Sequence, residues 1–459
     1  MSRPKKNRKP DVSKFKSEGD LNISNRRQQW LNEKVDKKTR AWLEKDSKYF
    51  LRQSLSTPCL NVLKGCAGIY LEDLQGRRLM DFHGNNVHQV GFGHPRVIAA
   101  IKAQLDELPF CPRRYTNEPA VRLASKLAEL APGNLNKVLF APGGTSAIGM
   151  AIKLARAATG RFKTISMWDS FHGASLDAIS IGGEAIFRQN IGPLMPGTEH
   201  VPPADPVHCP FKCGTQCSLQ CAQYIEYVLE KEGDVAAVIA ETVRSTPYIP
   251  PLDYWKTIRA ACDRHGALLI LDEIPHCLGR TGKMFTCQHY DVVPDMLVIG
   301  KGLGGGVFPL AALIAREDLD IMPERALGHY THEKNPVACA AGLAAIECIE
   351  SEGLLENARV LGDKALTRIA SMAKRHPLIG GGRGLGLLLG IELIKNKKTG
   401  ERASEAAESV MYGALGKGLS FKVSMGNILT LTPPLIISDA EMNRALDIIE
   451  ECLNTLRAS

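Results

Sequence analysis

No run of about 18 consecutive apolar residues occurs in the 459-residue chain, which excludes a helix of the length that spans a bilayer. The first residues also lack an apolar stretch before a small-residue cleavage site. No secretory leader is therefore expected, and the location implied is the cytoplasm. Aromatic residues are scarce, at 6%, and Phe15 alone stands among the basic residues of the first twenty. Nucleic-acid recognition, which stacks bases on aromatic rings, finds no support there. Paired Cys-x2-Cys knuckles are missing too, and no internal repeat is visible. What the chain does have is 44% hydrophobic residues, enough for a large core and, at this length, more than one domain.

The charge is unevenly placed. The formal net charge is +8, and residues 1–40 alone hold thirteen Lys and Arg against five Asp and Glu. The remainder is electrically balanced. Residues 1–40 are poor in apolar side chains and rich in Lys, Pro and Ser, so they are expected to form a disordered, solubilising arm. Thirteen cysteines, several inside apolar segments, suit a reducing compartment rather than a disulfide scaffold. Cys209, Cys213, Cys217 and Cys221 recur every four residues beside His208. They read as a Cys-rich surface excursion in preference to a structural zinc site, and no metal is expected.

Beyond residue 95 short apolar runs alternate with helical periodicity. The strand candidates are KVLFA, KTISMW, VAAVIAE, ALLILDE and DMLVIGK, and the helices between them include AIGMAIKLARAAT and DYWKTIRAACDRHG. Nearly continuous apolar strands imply a sheet covered on both faces. The expected fold is α/β, a large domain over 95–345 around a mostly parallel, seven-stranded type of sheet. A smaller α+β domain spans 346–459 and is completed by 41–94, where a helix is expected from Lys38 to Leu55.

Ligands of open parallel sheets sit at the carboxyl ends of strands, and those positions carry chemistry here. VLFAPGGTSAIG places Gly143, Gly144, Thr145 and Ser146 between a strand and a helix, a cradle for an anion without the Gly-Lys-Ser/Thr ending of a nucleotide-triphosphate loop. LLILDE ends on Asp272 and Glu273. Twenty-nine residues after Asp272, LVIGKGLGGG places Lys301 at the end of another apolar run. A desolvated lysine condenses readily with a carbonyl, and an aspartate at a neighbouring strand end can hold a pyridine nitrogen protonated. These are the needs of pyridoxal 5′-phosphate.

Four separated motifs, in order, resemble the class-III aminotransferase family over about residues 45–455. FAPGGTSAIGMAIKLAR is similar to its phosphate turn, SFHG to its aromatic-His-Gly motif, DEIPHCLGRTGKM to its Asp-Glu segment, and GKGLGGG carries its cofactor lysine. The resemblance implies fold type I and pyridoxal phosphate held covalently on Lys301. It implies that Asp272 pairs with the ring nitrogen, that Phe171 and Ile274 flank the ring next to His172, and that Gly144 and Thr145 hold the phosphate. Thr331 would reach the phosphate from a second subunit, giving a homodimer with shared sites, or a tetramer of such dimers. Glu241 matches an acidic residue beside the substrate amine.

Departures from the family pattern bear on the reaction. Pro275 replaces the Gln that usually follows Ile274, and Thr430 stands where many members carry a carboxylate-gripping Arg. Without that guanidinium a 2-oxo acid lacks its bidentate partner, which favours a lyase over a transaminase. Asn85, Asn86, Arg113, Arg114 and Arg244 are polar candidates for an anionic substrate. Within the family the pattern most resembles ammonia-lyases acting on a hydroxylated aminophosphonate, a small-molecule substrate, with no nucleic-acid or membrane partner. An ω-aminotransferase and an ethanolamine-phosphate phospho-lyase are the alternatives, and a binding protein on a decayed fold is disfavoured by the Lys301/Asp272 pair.

Overall fold

The computed structural model describes residues 17–456 apart from 18, 20, 58 and 214–216. Its centre is a seven-stranded sheet in the order Leu135–Ala141, Ala311–Arg316, Met296–Ile299, Leu268–Asp272, Val235–Glu241, Lys163–Met167, Thr198–Val201. The five strands from Met296–Ile299 to Thr198–Val201 run parallel, and Ala311–Arg316 is antiparallel to both of its neighbours. Every residue of Val235–Glu241 and Leu268–Asp272 is buried, as the unbroken apolar runs require of strands covered on both faces. The helix Gly144–Thr159 packs on this sheet and ends at Gly160, whose φ of 67° suits a left-handed cap.

Two strands of this sheet go beyond the sequence reading. AALIAR, Ala311–Arg316, follows a glycine run without a turn signal between helices, and Thr198–Val201 is short and only half-buried. Near the N-terminus Leu63–Ala67, Tyr70–Asp73 and Arg78–Asp81 form a meander whose last strand pairs parallel with Leu419–Ser420. That pairing welds the start of the chain to its C-terminal part. Ile379–Leu385, Leu388–Asn396, Ile428–Leu431 and Lys422–Ser424 form a further antiparallel sheet, with Glu401–Arg402 beside it.

The expectation of a disordered arm to residue 40 is corrected. Asn25–Glu33 is a helix capped by Ser24, whose side chain accepts from Arg27 N, and Lys37–Tyr49 is a helix capped by Asp36. Trp30 is buried against Tyr412, ring centroids 6.0 Å apart. One well-placed aromatic and two side-chain caps outweigh a polar composition averaged over forty residues. The second helix stops at Tyr49 rather than at Leu55. Residues 1–16, 18 and 20 of the arm lie outside the described residues. Among the described residues no helix is long and apolar enough to cross a membrane.

Candidate active site

Strand register brings the chemistry together. Glu241 and Asp272 are paired neighbours at the carboxyl ends of adjacent parallel strands, and Asp272 pairs in turn with Val298 of the strand that leads to Lys301. Glu241, Asp272 and Lys301 all line one cavity of about 430 Å3, with Gly144, Thr145, Phe171, His172 and Ile274 also on its walls. Pro275 lines it as well. Lys301 has a φ of 47°, an uncommon backbone for a residue with a side chain. Gly302, next in the chain, packs closely on Gln89: a Cβ there would lie 2.0 Å from Gln89 Oε1.

Asp272 is almost wholly buried. His172 Nδ1 lies 2.7 Å from its Oδ2, and the N–H of Ile274 donates to Oδ1 at 3.0 Å. The other ring nitrogen of His172 is 3.4 Å from Ser166 Oγ. His172 therefore acts on the cavity partly through Asp272, fixing the direction of its carboxylate. Glu273, next along, points away from the cavity and ties a turn: Thr242 Oγ1 and the N–H groups of Thr286 and Cys287 donate to it. Burial pushes the Glu273 carboxyl up to about 7 despite those hydrogen bonds.

The Gly-rich turn leaves its helix open to an anion. No side chain caps Gly144–Thr159, so its first N–H groups face the cavity end. A Cβ on Gly144 would stand 2.6 Å from Ile274 Cδ1, and one on Gly173 only 2.2 Å from Thr145 Oγ1. Phosphate turn, Ile274 and the Phe171–Gly173 turn thus interlock. The Phe171 ring packs at a tilt of 37° against Phe187, ring centroids 4.5 Å apart.

A second cavity, of about 650 Å3, shares Lys301 and Phe171 with the first. Asn85 and Asn86 line it, in a short turn where both have positive φ. Three side chains that sequence reasoning missed are here: Arg27, His83 and Lys422. Burial first, then the nearby cation Lys422, drives the His83 imidazole down to about 3, so it is neutral at physiological pH. Lys422 pairs across the strands with Thr430. Its local sequence, FKVS, offers no signal beyond a strand edge.

The arginine candidates do not gather there. Arg113 and Arg114 are exposed, with Arg113 against His329, and neither lines either cavity. Arg244 is buried behind Glu241, its Nη2 3.0 Å from Glu184 and its Nε 3.3 Å from Glu241. Two carboxylates already engage that guanidinium, and it lines neither cavity. Thr331 is exposed and off both walls within the single chain. Thr430 is fully buried and donates to Ser424 Oγ at 3.0 Å. All thirteen cysteines are free thiols. Of the four-residue repeat, Cys221 is buried on a helix and Cys217 exposed, and residues 214–216, between Cys213 and Cys217, lie outside the described residues.

A lysine and an aspartate at adjacent strand ends, facing an open helix N-terminus across a glycine turn, define an α/β enzyme that holds a phosphorylated aldehyde cofactor. Comparison with known proteins makes this definite. The model of the class-III aminotransferase family matches residues 52–453. The chain is 50% identical over 457 residues to the (R)-1-hydroxy-2-aminoethylphosphonate ammonia-lyase of Vibrio splendidus, covering 96% of this chain and 95% of that one. It is 36% identical to a leucine/methionine racemase of Thermococcus litoralis, over 90% of this chain and 94% of that one. Among solved structures, a Bacillus anthracis aminotransferase superposes with a TM-score of 0.84 at 31% identity, over 92% of this chain and 99% of that one. A PLP-bound amine transaminase from an uncultivated Pseudomonas species gives 0.82 at 29% identity, over 89% and 98%. The chain belongs to the class-III aminotransferase family, its fold is fold type I, and its cofactor is pyridoxal 5′-phosphate.

Proposed function

We propose that this enzyme is an ammonia-lyase that converts (R)-1-hydroxy-2-aminoethylphosphonate to phosphonoacetaldehyde and ammonia, in the breakdown of phosphonates. The observation that carries this reading is 50% identity across nearly the full length of both chains with an enzyme of that name. Supporting it, Thr430 is a buried, hydrogen-bonded hydroxyl, and among the described residues no arginine lines the cavity of about 430 Å3 that Lys301 shares with Asp272 and Glu241.

Bound pyridoxal phosphate supplies an electron sink conjugated to the substrate nitrogen. Lys301 would hold the cofactor aldehyde through Nζ, and the same amine, when free, would be the base that takes a proton from the substrate carbon bearing nitrogen. The same ammonium then returns a proton to the hydroxyl leaving the adjacent carbon. Asp272, held by His172 and the Ile274 amide, keeps a proton on the ring nitrogen. Gly144 and Thr145 would hold the phosphate, Ile274 and Phe171 would flank the ring, and Glu241 would lie beside the substrate amine. Thr331 would complete the phosphate site from a second subunit of a homodimer. Water leaves, the released enamine takes water back, and ammonia departs with no net redox change.

The test is product identification. Purified holoenzyme supplied with the hydroxylated aminophosphonate and no 2-oxo acid is expected to release ammonia, while phosphorus NMR shows phosphonoacetaldehyde with its carbon–phosphorus bond intact. Turnover only with an added 2-oxo acid, the nitrogen recovered as the corresponding amino acid and not as ammonia, would establish an ω-aminotransferase instead. Inorganic phosphate released from O-phosphoethanolamine as the preferred substrate would establish a phospho-lyase.

A further inference from the structure

The larger cavity, reached past Lys301 and Phe171, has cations on its walls beyond the cofactor lysine. Lys422 is half-buried there, and among the described residues it makes no ion pair or hydrogen bond through its side chain. An ammonium on a cavity wall with no counter-ion of its own is available to an anionic ligand. The wall's carboxylate is elsewhere engaged: Glu184 is held by Arg244 at 3.0 Å and by Ser17 Oγ at 3.1 Å. Next to Lys422 the His83 imidazole is uncharged, and Asn86 is a buried amide whose Oδ1 has no hydrogen-bond partner. The cavity is thus positive at one wall and lined by neutral polar groups beside it.

Lys422 also sits on a fixed support. It is directly opposite Thr430 in an antiparallel ladder, so the two side chains share a face of the sheet. On that face Thr430 is tied to Ser424. A compact ammonium on a braced strand suits a tetrahedral oxyanion, whereas a planar carboxylate prefers the fork of an arginine.

We infer that Lys422 sets substrate choice by receiving the anionic phosphonate end, while the amine end is delivered to Lys301. This rests on the aminophosphonate reading of the site. A phosphonate, like a phosphate ester with its second pKa of about 6, is largely dianionic near neutral pH. Asn86 and neutral His83 line the same cavity as uncharged neighbours, and Lys422 acts as a specificity residue without taking part in proton transfer.

The test uses holoenzyme and two probes followed by the visible absorbance of the cofactor: 2-aminoethylphosphonate, which lacks the leaving hydroxyl, and ethanolamine, which lacks the phosphonate. Lys422→Gln is expected to weaken 2-aminoethylphosphonate binding about tenfold or more, to leave ethanolamine binding unchanged, and to be partly rescued by Lys422→Arg. Equal affinity for the phosphonate in wild type and Lys422→Gln overturns the inference and leaves the proposed function standing. Equal weakening toward both probes also overturns it, since that marks a structural role. A wild-type enzyme that binds ethanolamine but not 2-aminoethylphosphonate overturns the substrate reading itself.

Discussion

Asp272→Asn keeps the size of the side chain and discards its charge, which makes it the sharpest change at the scale of single residues. The cofactor should still bind, because Gly144, Thr145 and Lys301 are untouched, yet turnover should fall by about 100-fold or more, as for loss of a preorganised electrostatic partner. Steady-state kinetics on cofactor-saturated protein checks this, and an unchanged kcat would remove Asp272 from the account. Lys301, Asp272 and Glu241 were legible in the sequence because each ends an apolar run, and strand ends converge in parallel sheets. Lys422 was not legible. Its place on the cavity depends on a strand register that no local pattern discloses. The arginines misled for the opposite reason: a guanidinium suits an anion, but Arg244 already serves two carboxylates, an internal use that sequence cannot distinguish from a ligand site.

Elements meet at the phosphate turn, where glycines permit contacts that any Cβ would break. Gly173 has a φ of 127° and would place a Cβ 2.2 Å from Thr145 Oγ1. Gly173→Ala should therefore push Thr145 out of line and weaken pyridoxal phosphate binding by about tenfold or more in a spectral titration, with helical circular dichroism retained. Cofactor affinity equal to wild type would mean that the two turns can part without consequence. The strand–glycine–helix order of this region was readable from composition and period alone. The Ala311–Arg316 strand was not, since no turn signal sets it off from the glycine run before it, and its antiparallel direction has no local sequence mark.

Across the whole molecule, buried ionisable groups set how stability responds to pH, and they pull in opposite directions. Glu273, at about 7 in the folded state against an ordinary 4.5, binds more proton when folded, so its contribution is lost as pH rises between those values. Glu273→Gln removes that titration. In denaturant melts the stability difference between wild type and variant should shrink as pH rises from 4.5 to 7, and a constant difference would contradict the burial argument. His83 and His88, both driven to about 3 by burial before any neighbouring charge, act the other way, losing stability as pH falls below their ordinary 6.5.

At this scale the sequence revealed a mostly parallel sheet and a second, smaller body. It concealed that Ser17, Arg27 and Trp30, in a segment too polar to suggest order, pack against the C-terminal part beside the larger cavity. The interaction is tertiary, and composition carries no record of a distant partner.

The most direct measurement of the central claim is the count of ammonia released per active site when holoenzyme meets (R)-1-hydroxy-2-aminoethylphosphonate with no 2-oxo acid present. Many molecules per site, with the aldehyde form of the cofactor retained throughout, is the outcome predicted for Lys301 and Asp272 working as a lyase. Amine transfer that stops after a single equivalent per site, leaving the amine form of the cofactor, would contradict it.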